Sequence, residues 1–315
     1  MKSFISLILL FGLFCCSSSF AACTASSSST SFGSVSSFTL ASSSQLVESG
    51  TGFTCSGSLL SLISTNTVTA TFSSSTNASG TTPQLYSSSA GSYIPYTLCG
   101  DSACSTTYSI GSSKTWSSTT LLGLLGLFNS SDGTLPLYLK TSSGVNVPAG
   151  TYTDTLTLNW SYKICFVGIL GVCSYTTGTA TTTIAVTLIV TNDCAIDTAP
   201  DVDFGSAALP ADFADVSASL GVRCTNNASY KVSLASSNTT SGNWRQMSAT
   251  TTSGTSYLQY QLQQSDGTVW TDTNTLSQVG TGSTQTINYT AVVNPDQSNQ
   301  PAGSYSDTIT VTVSY

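Results

Sequence analysis

Apolar and polar residues alternate with a period of two along most of this chain. The last fifteen residues, PAGSYSDTITVTVSY at 301–315, are the clearest case. Tyr305, Asp307, Ile309, Val311, Val313 and Tyr315 share one side and small hydroxyl residues the other, the pattern of a half-buried strand. A near-copy, PAGTYTDTLTLNWSY, occupies 148–162, and there a further alternating stretch follows, TATTTIAVTLIVT at 179–191. In it Ile184, Val186, Leu188 and Val190 fall in phase. No stretch sustains a 3.6-residue period. Turn signals at 77–80, at Ser131-Asp132-Gly133 and at Asp266-Gly267 separate short strands, so the pattern predicts an all-β chain of two tandem antiparallel β-sandwiches.

The repeat extends beyond the closing strands. Residues 22–55 match 193–224: each copy begins at a cysteine (Cys23, Cys194), carries Phe-Gly downstream (Phe32-Gly33, Phe204-Gly205) and ends at a second cysteine (Cys55, Cys224). This places domains at 22–191 and 192–315, with disulfides Cys23 to Cys55 and Cys194 to Cys224 tying early strands together.

The first copy carries three apolar insertions that the second lacks. They are SLLSLIS at 58–64, LLGLLGLF at 121–128 and KICFVGILGVCSY at 163–175. Gly123, Gly126, Gly168 and Gly171 interrupt the runs, which favours turns over continuous strands. Loops of a sandwich cluster at its ends, and an exposed apolar cluster marks an interaction site. The candidate surface-binding residues are Leu59, Leu60, Leu62, Ile63, Leu121, Leu122, Leu124, Leu125, Leu127, Phe128, Phe166, Val167, Ile169, Leu170 and Val172. Taken singly, such runs also read as core strands, but residues 192–315 build the same architecture without them.

Composition narrows the function classes. Of 315 residues 7% are charged, the net charge is −7 and histidine is absent. A basic footprint for nucleic acid is missing, and so is the general base of a Ser-His-Asp or Cys-His site. Asp212 and Asp215 read as a solvated turn rather than a glycosidase pair, and Asp154 and Asp307 as structural hydrogen-bond acceptors at equivalent positions. No enzymatic role, cofactor or metal is expected. The N-terminus reads as a signal peptide over 1–21, with Lys2, an apolar run from Phe4 to Cys16 and a small-residue exit. No later run is long enough to span a membrane. Removing the signal leaves eight of the ten cysteines, and an even number in an exported chain implies disulfides rather than zinc. Cys165 and Cys173 bracket seven residues, and Cys99 and Cys104 lie close enough to close a hairpin tip.

Cys followed by Phe-Gly, a second Cys, the hairpins Tyr96-Thr97-Leu98 and Tyr260-Gln261-Leu262, and the closing PAG-x-Y-x-D-T strand together resemble the spore coat U domain. That family supplies the subunits of archaic, Csu-type chaperone-usher pili. The tandem arrangement resembles their tip adhesins, whose immunoglobulin-like pilin sandwich lacks its final strand and receives one from a neighbouring subunit. The resemblance implies a periplasmic chaperone, an outer-membrane usher and a strand-donating pilus subunit as partners. It also implies export through the periplasm to the pilus tip on the cell surface. Ile309, Val311, Val313 and Tyr315 would then form the donor-strand acceptor edge, since nothing in the second copy answers to 179–191. Cleavage near Ala21 would leave Cys23 close to the mature N-terminus with no donor segment before it, as a tip subunit requires. The expectation is attachment and biofilm formation through the apolar loops, on abiotic or host surfaces. The competing reading is a lectin-like tip subunit or a secreted coat protein with those loops buried or self-associating.

Overall fold

The computed structural model describes residues 22–56, 60–61, 65–119, 126–169, 172–252 and 254–315. Among these residues strand accounts for 58% and helix for 3%. The first half contains β1 (Ala22–Ala25), β2 (Ser28–Ser36), β3 (Leu46–Gly50), β4 (Phe53–Ser56), β5 (Leu60–Ser61), β6 (Asn66–Ser75), β7 (Gln84–Ser87), β8 (Ser92–Cys99), β9 (Thr107–Tyr108), β10 (Ser113–Ser118), β11 (Pro136–Thr141), β12 (Gly150–Ile169) and β13 (Val172–Thr191). The second contains β14 (Cys194–Thr198), β15 (Val216–Cys224), β16 (Ser229–Ser236), β17 (Thr240–Ser241), β18 (Trp244–Thr251), β19 (Gly254–Gln264), β20 (Leu276–Val279), β21 (Gln285–Val293) and β22 (Ile309–Ser314).

Strands β10, β6, β12, β13 and β2 run side by side in the first half, and β7, β8, β11 and β3 form the facing layer. The long strand β12 joins the two layers through the pair Thr153↔Tyr86. Between them lies one core, built around Trp160, which stacks on Phe53 at 4.6 Å and Trp116 at 5.9 Å. The period-two pattern is the cause: Tyr152, Leu156, Leu158 and Trp160 point inward while Thr151, Thr153, Thr155 and Asn159 face solvent.

A second core, around Trp270, Tyr230 and Tyr289, lies between a six-stranded sheet in the order β14-β15-β21-β19-β18-β17 and a three-stranded sheet β20-β16-β22. Cys23 pairs across strands with Cys55, and Cys194 with Cys224, and each pair is a disulfide. Cys99–Cys104 and Cys165–Cys173 are bonded as well.

Three local expectations are corrected. A six-residue helix, α1 (Ser37–Ser42), follows β2, capped by the Ser36 side chain accepting from the Thr39 amide; a single turn is too short to leave a helical period. Gly168 does not break its run: β12 continues to Ile169 and pairs with β13 down to Ile169↔Val172, with a bulge between Cys165 and Val167. Cross-strand hydrogen bonds and the Cys165–Cys173 bond hold the glycine extended. Alternation over 305–315 yields a ladder only from Ile309, because residues 301–308 have a sheet partner at one point, Ser306 with Ser248.

Candidate functional site

The two halves differ in one strand position. In the first, β13 lies against the outer edge of β12 in antiparallel register, and on its other side it pairs in parallel with β2. Ile184, Val186, Leu188 and Val190 drop into the core, none more than 2% exposed. Burying four such side chains contributes about 6–12 kcal/mol before entropy is subtracted.

In the second half the closing strand β22 pairs along one edge with β16, from Lys231↔Ser314 to Ser236↔Ile309. Among the described residues no strand pairs with its other edge. A cavity of about 350 Å³ opens there, lined on one lip by residues 199–202 and Phe204 and on the other by residues 305–309 and Val311. Its floor is apolar, made by Leu220, Leu234, Met247, Tyr260, Leu262 and Tyr289. A second hollow of about 310 Å³ continues it between residues 205–210 and 300–303. Ile309, Val311 and Val313 are half-buried and Tyr315 is exposed, whereas Leu156 and Leu158, beside the filled strand position, are fully covered. An unpaired edge above an apolar floor is a site for strand addition.

One polar cluster sits at this edge. Asp307 accepts from Tyr260 Oη at 2.6 Å and from Ser236 Oγ, Ser237 Oγ and the Asn238 amide. Burial and the neighbouring carboxylate push the Tyr260 hydroxyl far above its ordinary range. Arg245 lies beneath, buried, its Nη2 donating to the carbonyls of Leu234 and Trp270. The first half repeats the cluster with Asp154, Ser75, the Asn77 amide and Tyr96. The recurrent aspartates are therefore acceptors that fix the closing strand to the neighbouring hairpins.

The second candidate region is the apolar end of the first sandwich. Leu59, Leu62, Ile63, Leu121, Leu122, Leu124, Leu125 and Leu170 lie outside the described residues, as does the signal segment. The backbone positions of Leu60, Phe166, Val167, Ile169 and Val172 are described: β5 pairs in parallel with β12 through Val167↔Leu60 and Gly168↔Ser61. Two of the three insertions thus meet in one sheet, at the closed end of the β12–β13 hairpin. The other end of that hairpin, Gly150↔Val190, adjoins Cys194 and the second sandwich; at ~3.3 Å per residue the two ends are roughly 60 Å apart along the strand. Leu127 and Phe128 are half-buried against the first core, so for these two the structure gives a packing contact in place of a free surface position.

Sequence reasoning missed the other lip of the groove, residues 199–210. Its traces are the repeated Phe-Gly pair and the short alternation Asp201-Val202-Asp203-Phe204. Among the described residues no group of three or more His, Cys, Asp or Glu side chains is placed to hold a metal, and no helix is long and apolar enough to cross a membrane.

The Spore Coat Protein U domain family matches residues 13–159 and again residues 180–312. Among solved structures, the chain is similar to a chain of the CsuC-CsuE chaperone-tip adhesion subunit pre-assembly complex from archaic chaperone-usher Csu pili of Acinetobacter baumannii. The identity is 25%, over 93% of this chain and 100% of that one, with a TM-score of 0.60. The CupB6 tip adhesin from Pseudomonas aeruginosa matches at 12% identity over 94% of each chain, with a TM-score of 0.35. No curated protein matches the chain.

Proposed function

The chain belongs to the Spore Coat Protein U domain family, and on that premise we propose that it is the tip adhesin of an archaic chaperone-usher pilus. Residues 22–191 form the self-completed adhesive domain and residues 192–315 the strand-accepting one. The observation that supports this most is the contrast between the filled strand position at β13 and the open one beside β22. A strand from a neighbouring subunit, added at the outer edge of β22, covers Ile309, Val311 and Val313 and anchors the chain to the fibre. A periplasmic chaperone shields the same edge until the outer-membrane usher exchanges it for that subunit. Similarity to a chain of a chaperone-tip subunit complex supports such a partner.

Adhesion belongs to the far pole, where the insertions at 58–64 and 163–175 meet, and Leu121, Leu122, Leu124 and Leu125 of the third insertion supply further apolar side chains. Each large side chain fully inserted into an apolar surface contributes about 1.5–3 kcal/mol, less ordering costs. A dozen partly inserted residues hold a cell to plastic or to an apolar host groove, and so support biofilm formation, without a polar binding pocket or a catalytic group.

The test is expression of the full chain with its cognate chaperone and usher, comparing it with Leu124→Ser, Leu125→Ser, Ile169→Ser and Leu170→Ser combined. The expected outcome is normal piliation with a steep loss of attachment to polystyrene. Unchanged attachment by piliated cells refutes the apolar-pole mechanism. Absence of the unmodified chain from assembled pili refutes the tip assignment.

A further inference from the structure

We propose that tension crosses this molecule along one covalent line, made by β13, the two-residue linker, the Cys194–Cys224 bond and β16, and that this bond is a mechanical shunt that keeps pull off β14 and the segment behind it. The inference rests on the readings above, which put adhesion at the far pole of the first sandwich and anchorage at β22, and it adds how force passes between them.

The first sandwich gives this line no slack. Strand β13 runs from Val172 at the pole to Thr191 beside the second sandwich. An extended strand already rises ~3.3 Å per residue and a fully stretched chain reaches at most ~3.6 Å, so pulling along β13 lengthens it by roughly a tenth or less. The Cys165–Cys173 bond ties both flanks of residues 166–172 to the top of this strand, and pull on either flank enters β13 directly. An antiparallel ladder to β12 and a parallel one to β2 hold the strand along its length.

The linker is Asn192-Asp193. The Asp193 amide donates to Thr225 Oγ1 at 2.7 Å, and the Thr225 amide donates to the Asp193 carbonyl at 2.9 Å. Ser37 Oγ of the first sandwich meets the same buried Thr225 hydroxyl. Beyond this joint two routes are open. Along the chain, pull on Cys194 falls on β14, whose ladder to β15 runs only from Cys194↔Cys224 to Thr198↔Gly221 and is broken by a shift between Ile196 and Thr198. Behind it, residues 199–215 pair with no strand among the described residues.

Through the disulfide, the same pull reaches Cys224, where β15 ends and Thr225 to Ala228 lead straight into β16. Strand β15 pairs with β21 from Val216↔Ala291 to Val222↔Gln285, and β16 with β22 from Lys231↔Ser314 to Ser236↔Ile309. Hydrogen bonds of an antiparallel ladder lie across the strands, so a pull along the strands strains the whole ladder at once. The bond thus moves tension from one short, interrupted ladder to two longer ones, one in each sheet of the second sandwich. Cys23–Cys55 is the equivalent bond of the first sandwich. It lies off the line, because β1 and β4 both precede β13 and neither leads to the linker.

Single-molecule pulling tests the shunt. The full chain, with its disulfides formed, is held by handles on azide-bearing residues that replace the exposed Thr177, on β13, and the exposed Ser304, ahead of β22. With all disulfides in place no step is expected before the second sandwich ruptures. Combining Cys194→Ser with Cys224→Ser frees a sequence separation of 30, so a step of about 100 Å is expected at lower force, ahead of that rupture. If the serine pair fails to fold, Cys194→Ala with Cys224→Val keeps the site apolar and reads the same step. Cys23→Ser with Cys55→Ser should leave the record unchanged. Absence of the early step, or an equal weakening by the Cys23 and Cys55 replacements, overturns the shunt. With the second handle moved to the exposed Thr191, the held segment of β13 should lengthen by no more than about a tenth; a larger release overturns the tether. Pulling needs neither pilus nor surface, so failure here is distinct from failure of the attachment assay above.

Discussion

The hydroxyl of Tyr260 donates a 2.6 Å hydrogen bond to Asp307, and in the first sandwich Tyr96 donates one of 2.7 Å to Asp154. Each bond ties a hairpin to the start of a closing strand. Asp154 is 4% exposed and Asp307 is half-buried beside the groove. Asp154→Ala leaves Ser75 and Tyr96 without their buried acceptor and should cost on the order of 3 kcal/mol, whereas Asp307→Ala, open to water, should cost about 1 kcal/mol. Urea unfolding of each full-length variant checks the order; equal losses contradict it.

Alkali provides a second test. Burial first, then the charge of Asp154, holds the Tyr96 hydroxyl far above the ordinary tyrosine range, and burial pushes Tyr152 up to about 12. A folded-state value raised above the unfolded one stabilises the fold fully below the unfolded value, and that contribution is lost as pH rises through the folded one. Stability should therefore hold up to about pH 10 and decline above it. In ultraviolet titration, phenolate from these tyrosines should appear together with loss of β-sheet circular dichroism. Titration of Tyr96 and Tyr152 before unfolding contradicts the prediction.

Filled and open strand positions should respond differently to truncation. Ile184 is fully buried and Ile309 half-buried. Ile184→Ala is expected to cost roughly 3–4 kcal/mol and Ile309→Ala roughly 1 kcal/mol. Once a donor peptide is bound, the penalty at Ile309 should grow. Calorimetry with and without peptide measures both numbers, and a penalty at Ile309 that ignores the peptide argues against cover by a donor.

Cys194 and Cys224 enclose a loop with a sequence separation of 30. Replacing both by Ser removes a constraint on the unfolded chain worth about 3–4 kcal/mol in the loop-entropy account. The C-terminal sandwich should then melt earlier while the first keeps its transition. A single unchanged melting curve rules this out.

The contact between the sandwiches adds a fifth comparison. Arg223 lies 4.3 Å over the Phe38 ring and pairs with Asp197, and Ser37 Oγ meets Thr225 Oγ1 at 2.6 Å. The Arg223 hydrogen bond holds Asp197 below its ordinary carboxylate range, so this contribution is present at neutral pH and lost as pH falls below about 4. Because both groups are partly exposed, Arg223→Ala should cost no more than about 1 kcal/mol. A measurably larger loss, or one that persists at low pH, shows that packing on Phe38 dominates.

Alternation, repeat length and cysteine position are local properties, and they were legible. They placed β12, β13 and the edge at Ile309 to Val313, matched Cys23 to Cys55 and Cys194 to Cys224, and separated a chain half with a final alternating stretch from one without. The tertiary structure decided which edges meet. Pairing in parallel between β13 and β2 joins residues some 155 positions apart, and no local period records it. The lip at 199–207 alternates only over Asp201 to Phe204, too short a stretch to announce a groove wall, and it has no ladder partner in the sheet. Gly168 stays extended because a partner strand supplies the hydrogen bonds its sequence does not demand. Side-chain direction follows from the period of two along one strand; the identity of the neighbour follows from long-range burial, which only the assembled sandwich reveals.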